Sequence, residues 1–316
     1  MNPGQFMQFP GANTLRVGDS FARTTLSTIS GALRGITHDG TQFVAVGNGG
    51  LVMTSVDGVA WTQVTTNISS VNLLSVVFGN GIYVATSISS ANVYSSTDLA
   101  TWTLRQSTAD VSRVIFGGGV FVVHGPSIYS STNGTSWTLR TKPDVLAEYQ
   151  FGFWANNYFV LCDQGPWQNI PFAISSDGAT WTGDNLIGSS GVLSSAAGVG
   201  YWGNRFVITV NRSSGVSPNR IYVFNSNPAS GYTFATRSFT QQLGVPVGLP
   251  DRLVIMQNLG SISTLINANP SDSSTWGLSA FDTIPSGGNV PAVYANDIIV
   301  GAGGSTNPVI VRSSKY

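Results

Sequence analysis

The chain has 316 residues, of which 42% are hydrophobic, 11% aromatic and only 9% charged, with a formal net charge of zero. A typical soluble domain carries roughly 25% charged residues, so Ser, Thr, Asn and Gly must cover this surface, and nothing here builds the basic stripe of a nucleic-acid binder. Cys162 is the single cysteine, which excludes an intrachain disulfide, and no apolar run approaches the ~20 residues that span a bilayer.

Residues 1–19 are rich in Pro, Gly, Gln and Asn and lie outside any repeat. Met1–Phe6 has neither a basic nor an apolar segment, so no secretory signal is expected there. The stretch reads either as a loose terminus or as an arm, Met1–Gly18, that docks on a partner.

From Gly35 onward the sequence repeats in four pieces. The first is a short apolar strand ending in a turn rich in Gly, Asn or Asp, as in Ser75-Val-Val-Phe-Gly-Asn and Arg113-Val-Ile-Phe-Gly-Gly, the cue for a tight hairpin. The second occurs seven times: Phe43-Val-Ala-Val, Tyr83-Val-Ala-Thr, Phe121-Val-Val-His, Phe159-Val-Leu-Cys, Phe206-Val-Ile-Thr, Leu253-Val-Ile-Met and Ile298-Ile-Val-Gly. These are nearly continuous apolar runs, as expected of strands buried on both faces.

The third piece also returns seven times, ending with Pro308-Val-Ile-Val-Arg312. The fourth is centred on Trp61, Trp102, Trp137, Trp181, Phe234 and Trp276, the first four 41, 35 and 44 residues apart. Such a period marks propellers and solenoids. The fourth piece occurs only six times, and Ser20-Phe21-Ala-Arg-Thr-Thr-Leu supplies the missing strand with Phe21 in the Trp place. The expected fold is all-β: a seven-bladed β-propeller with four antiparallel strands per blade, residues 20–316 forming one domain. The N-terminal strand closes the last blade and removes its free edge.

Between the third and fourth pieces runs Ser/Thr-x-Asp-Gly-x-x-Trp-Thr, at Asp57, Asp98, Asn133 and Asp177 with Trp61, Trp102, Trp137 and Trp181. The phrase resembles the Asp-box, or BNR repeat, of sialidase-type β-propellers; only its outline persists at Asn227–Phe234 and Asp272–Trp276. A short carboxylate or amide bonds backbone N–H groups two residues on, Gly supplies positive φ, and Trp closes the turn with apolar area. These residues are therefore assigned to folding.

The resemblance implies, for sialidase activity, three converging arginines, a Tyr nucleophile paired with Glu and an acidic acid/base. The chain has one glutamate, Glu148, and only Arg34 and Arg113 stand ahead of inner strands. His38 and His124, the only histidines, lie in a hairpin turn and at the end of a buried strand, away from any nucleophile-elbow motif. Two histidines, one cysteine and no carboxylate cluster leave no metal motif. No catalytic residue, metal or cofactor is expected.

Variable loops on a rigid scaffold are where binding resides. The loops between second and third strands, and between units, are the longer ones: Asp163–Pro171, Arg212–Asn219, Thr141–Glu148, Gly183–Ser195 and Ser279–Val290. The binding candidates are Asp163, Gln164, Trp167, Asn169, Arg212 and Asn219. Trp167 among amides suits stacking on a sugar or anchoring a protein, or else fills a gap in its own sheet. With the charge-poor composition and the terminal arm, the chain reads as a non-enzymatic bacteriophage virion protein, structural or receptor-binding, within the virion. Its expected partners are other virion proteins or a host surface glycan or receptor. A lectin-like bacterial propeller and a divergent sialidase-like glycosidase are the alternatives.

Overall fold

In a computed structural model of the chain, the described residues are 21–26, 28–88, 92–107, 112–143, 147–163, 165, 170–186, 194–212, 219–224, 234–239, 243–248, 252–256, 261–266, 278–283, 292–295, 298–303 and 309–313. Among them the chain forms seven four-stranded antiparallel sheets. In chain order the first is Leu33–His38, Phe43–Gly47, Val52–Ser55 and Thr62–Val64. The second is Leu73–Gly79, Ile82–Ser87, Asn92–Ser96 and Thr103–Ser107. The third is Arg113–Gly117, Val120–His124, Ile128–Ser131 and Thr138–Arg140. The fourth is Tyr149–Ala155, Tyr158–Asp163, Ile170–Ser175 and Thr182–Leu186. The fifth is Ser194–Trp202, Arg205–Arg212, Asn219–Phe224 and Phe234–Phe239. The sixth is Val245–Gly248, Arg252–Met256, Ser261–Ile266 and Leu278–Thr283.

The seventh sheet takes Ala292–Ala295, Ile298–Gly303 and Val309–Ser313 from the end of the chain and its fourth strand, Phe21–Thr25, from the beginning. The pairing runs from Phe21 opposite Ser313 to Thr25 opposite Val309. Every other sheet is a meander of sequential strands. Sheets one, two, three and seven form one compact unit, and sheets four, five and six another.

The first hairpins follow from their turn residues. Asn80-Gly81, Gly118-Gly119, Asn156-Asn157 and Gly203-Asn204 all have both residues at positive φ, between 48° and 79°. Two-residue turns of this hand match the right-handed twist of the flanking strands, and only Gly and Asn reach them cheaply.

Alternation along each second strand explains the continuous apolar runs. In the first sheet Phe43 and Ala45 pack with Val300, Ala302 and Ile310 of the seventh, while Val44 and Val46 pack with Leu73, Tyr83 and Ala85 of the second. Val84 turns from the second sheet toward Phe121 and Val123 of the third. In the other unit Phe206, Ile208 and Val210 face the fourth sheet, and Val207 faces the sixth. A strand with a neighbour on each face buries both side-chain sets, so both are predominantly apolar.

The strands extend further than the loop reading allowed. Thr182–Leu186 takes up the start of the expected loop Gly183–Ser195, and Leu278–Thr283 that of Ser279–Val290. Pairing with the third strand continues through these polar residues, Ile170 opposite Leu186 and Ser261 opposite Thr283. Fourth strands need no apolar run because they lie at the edge of each sheet.

Candidate functional site

Four turns of the same construction join third to fourth strands, one in each of the first four sheets, at the end where that sheet also has its first hairpin. Ser55 Oγ donates to Asp57 Oδ1 at 3.0 Å and accepts the Gly58 N–H at 2.9 Å; Asp57 Oδ1 also takes the N–H groups of Val59 and Ala60. Ser96–Asp98 and Ser175–Asp177 repeat the arrangement, and Ser131–Asn133 repeats it with a neutral amide oxygen. The residue after Asp or Asn has positive φ: Gly58, Gly134 and Gly178, but Leu99 in the second turn at 67°. Trp61 and Trp102 donate their indole N–H to the carbonyls of Gly58 and Leu99. Donated backbone N–H groups hold Asp57, Asp98 and Asp177 below the usual carboxylate range, against a small opposing effect of burial. Each acid grips its own turn.

The same end holds the first hairpin of the first sheet. Asp39 Oδ1 accepts from Thr41 N, Thr41 Oγ1 and Gln42 N, and its Oδ2 accepts the Tyr83 phenol at 2.5 Å. Burial pushes the Asp39 pKa up, but these donors outweigh it and the net direction is down. Tyr83 is driven far up, first by burial and then by Asp39. A Tyr–carboxylate couple built this way opposes a nucleophilic phenolate. His38 sits edge-on to Phe43 with ring centroids 4.7 Å apart, its Nδ1 accepting Gly40 N–H, and burial lowers its pKa against the pull of Asp39. His124 is fully buried in the third sheet.

The opposite end carries the loops expected to bind. Gln164, Trp167 and Asn169 lie outside the described residues, as do the arm 1–19 and Asp272–Trp276, and of Phe21, Phe234 and Arg212 only the strand backbone is described. Asp163 is fully buried as the last residue of its strand. Its Oδ2 takes the Glu148 N–H at 2.8 Å and its Oδ1 the Gly165 N–H at 2.6 Å, closing the loop on the segment that enters the fourth sheet. Asn219 is likewise 5% exposed, opening its strand opposite Phe239. Of the six expected binding residues, the two whose side chains are described, Asp163 and Asn219, are interior. Glu148 is exposed on this loop, and Arg34 and Arg113 stand at the starts of the first strands of sheets one and three.

Two asparagines that the sequence did not single out as structural link distant segments. Asn67 Oδ1 accepts Trp102 N–H at 2.8 Å while its Nδ2 donates to Trp102 O. Asn211 makes the same double bond to Leu243, both at 2.7 Å. With Asn133 in its turn, the asparagines of Asn67-Ile-Ser, Asn133-Gly-Thr and Asn211-Arg-Ser all use their side chains to hold backbone. Among the described residues no three His, Cys, Asp or Glu side chains gather as a metal site requires, and no helix is long and apolar enough to cross a membrane.

Residues 13–114 match the family model described as "DUF6242 beta propeller domain". The fold is a β-propeller. No curated protein matches the chain. Among solved structures, YCF48 bound to D1 peptide is 12% identical, with 99% of this chain and 100% of that one covered at a TM-score of 0.67. YCF48 from Cyanidioschyzon merolae is 14% identical, covering 92% and 98% at 0.66. Streptogramin B lyase is 8% identical, covering 94% and 98% at 0.73. At such identities the likeness is one of fold, which hosts many unrelated functions.

Proposed function

We propose that the chain is a non-enzymatic interaction scaffold: the seven sheets are the blades of one propeller domain over residues 20–316, and its loops meet a protein or peptide partner. The observation that carries this reading is the use of the polar side chains. Asp39, Asp57, Asp98, Asp163 and Asp177 each hold backbone N–H groups of their own turn or loop. A general acid or nucleophile has to face substrate instead. The bound D1 peptide of the similar YCF48 structure fits a polypeptide as occupant.

The finer reading is a bacteriophage virion component whose four good turns belong to the Asp-box type. It is supported by the Ser-anchored geometry of those turns and by a surface with 9% charged residues. Mass spectrometry of gradient-purified particles tests it: the chain should be present at a fixed copy number. Its absence from particles, with the chain recovered in the soluble fraction, would remove the virion reading. Turnover of a fluorogenic sialoside abolished by Glu148→Gln would remove the non-enzymatic one.

A further inference from the structure

The first strand of the first sheet begins with a β-bulge. Leu33 pairs with Gly47 and Gly35 with Val46, which leaves Arg34 without a cross-strand partner. Gly47, opposite the bulge, has no room for a side chain: a Cβ there would stand 2.0 Å from the Ala32 carbonyl oxygen. Bulges recur at the same place in sheets two, four and five, leaving Leu74, Gln150 and Ala197 unpaired. A bulge re-aims its extra side chain. Only in the first sheet is that side chain a cation.

Arg34 is half-buried and fixed. Its Nε donates to Asn48 Oδ1 at 2.6 Å. Asn48 is fixed in turn, its N–H bonded to Ala32 O and its 3₁₀ turn tied down through Gly49 to Asn72 Oδ1 and through Gly50 to Val71 O. Gly50 sits at φ 66° with no room for a side chain, a Cβ there lying 2.3 Å from Ile68 O. The Nε bond uses one edge of the guanidinium and leaves Nη1 and Nη2 with no acceptor among the described residues. The described carboxylates of this unit, Asp39, Asp57 and Asp98, lie in hairpins and turns at the other end of their sheets.

We propose that Arg34, held by Asn48, is a preorganised receptor for a single carboxylate of the bound polypeptide. The proposal rests on the scaffold reading and names the group recognised. A rigid fork of two parallel N–H donors matches a carboxylate, and fixing the fork in advance removes the entropy that a free Arg side chain would lose on binding. One guanidinium balances one negative charge, which favours a carboxylate over a phosphate dianion. The carboxylate belongs to a chain terminus or to an Asp or Glu side chain.

The test uses the full chain carrying isotope-labelled arginine, with the side-chain Nε–Hε signals followed by NMR. Arg34 is identified as the signal lost in Arg34→Lys. The probes are N-acetylglycine, for a terminal carboxylate; N-acetylglutamate amide, for a side-chain one; N-acetylglycinamide; and inorganic phosphate. The Arg34 signal should shift saturably with a carboxylate and not with the neutral amide, the tighter of the two acids identifying the source. Asn48→Ala should weaken that binding about tenfold, the worth of one well-placed charged hydrogen bond, with the other arginine signals unmoved. An equal response to the amide, a tighter response to phosphate, no saturation, or undiminished binding in Asn48→Ala would each overturn the proposal. A partner that binds the chain with Arg34→Lys as tightly as the native protein would sink it too, while leaving the scaffold reading intact.

Discussion

The phenol of Tyr83, in the second sheet, donates to the carboxylate of Asp39, in the first hairpin of the first sheet, at 2.5 Å. The contact adds a charged hydrogen bond to the apolar packing that joins these two sheets. Tyr83→Phe keeps the ring on Phe78, whose centroid is 4.6 Å away, and leaves Asp39 its three other donors. The expected loss is about 1 to 2 kcal/mol, near the lower bound for a bond to a charged group because Asp39 is half-buried; urea denaturation measures it.

The same pair sets a pH dependence at the alkaline side. The folded pKa of Tyr83 is raised, by burial first and Asp39 second. A raised pKa contributes stability in full below the unfolded value, about 10 for tyrosine, and loses it as pH climbs from there through the folded value. The Tyr83 phenol should therefore titrate later than Tyr201, which burial also raises, when followed by ultraviolet absorbance, and Tyr83→Phe should abolish that latest step.

The acidic side belongs to the turns. Asp57, Asp98 and Asp177 have lowered pKa values, so their contribution is present above the unfolded value and is lost as pH falls below about 4 toward the folded values. Asn133 makes the same bonds without a charge to lose. Replacing all three acids by Asn should make the melting temperature fall less steeply with pH below about 4, Asp39 keeping its own share, a comparison that differential scanning calorimetry makes directly. If the triple variant loses stability as steeply in acid as the native chain, the turns are not the acid-sensitive elements.

These turns were legible in the sequence because every bond in them spans two or three residues. The second strands were legible because both of their faces are buried, so no periodicity had to be resolved. Asn67 and Asn211 were not, since the backbone each one holds is 35 and 32 residues away. Asp163 stands beside Gln, Gly, Pro and Trp and so reads as loop, yet it pairs with Tyr149 and lies inside. A residue at the junction of strand and loop takes its burial from strand register, which a polar neighbourhood conceals. Arg34 is legible in the sequence for its place ahead of an inner strand, but the bulge that re-aims it lies in the register between Leu33–His38 and Phe43–Gly47.

Leu99 sets two effects against each other. It holds a left-handed conformation at φ 67°, where its three counterparts are Gly, and it is also buried, 5% exposed, against the cluster between sheets one and two. Changing Leu99 to Gly relieves about 1 kcal/mol of backbone strain. It also removes a buried side chain whose truncation costs about 2–5 kcal/mol. Burial wins, and Leu99→Gly should destabilise by about 1–4 kcal/mol in equilibrium unfolding, even though it restores the turn's usual residue.

The seventh sheet gives the sharpest contrast, because its fourth strand comes from the other end of the chain. Removing residues 1–20 leaves Phe21–Thr25 in place, whereas removing residues 1–26 strips Val309–Ser313 of its outer neighbour. The third strand would then present an open row of backbone donors and acceptors, the configuration that recruits foreign strands. Ile310, buried in the cluster with Phe43 and Met53, would lose the strand that flanks its own. The shorter truncation should melt as the full chain does, and the longer one should melt at least several degrees lower, as expected for losses of a few kcal/mol. It should also self-associate in analytical ultracentrifugation. A synthetic peptide of residues 21–26 added in excess should reverse both changes in part, since a ligand that binds only the folded form stabilises it by mass action. Equal melting of the two truncations would mean that the N-terminal strand does not contribute to holding the sheet.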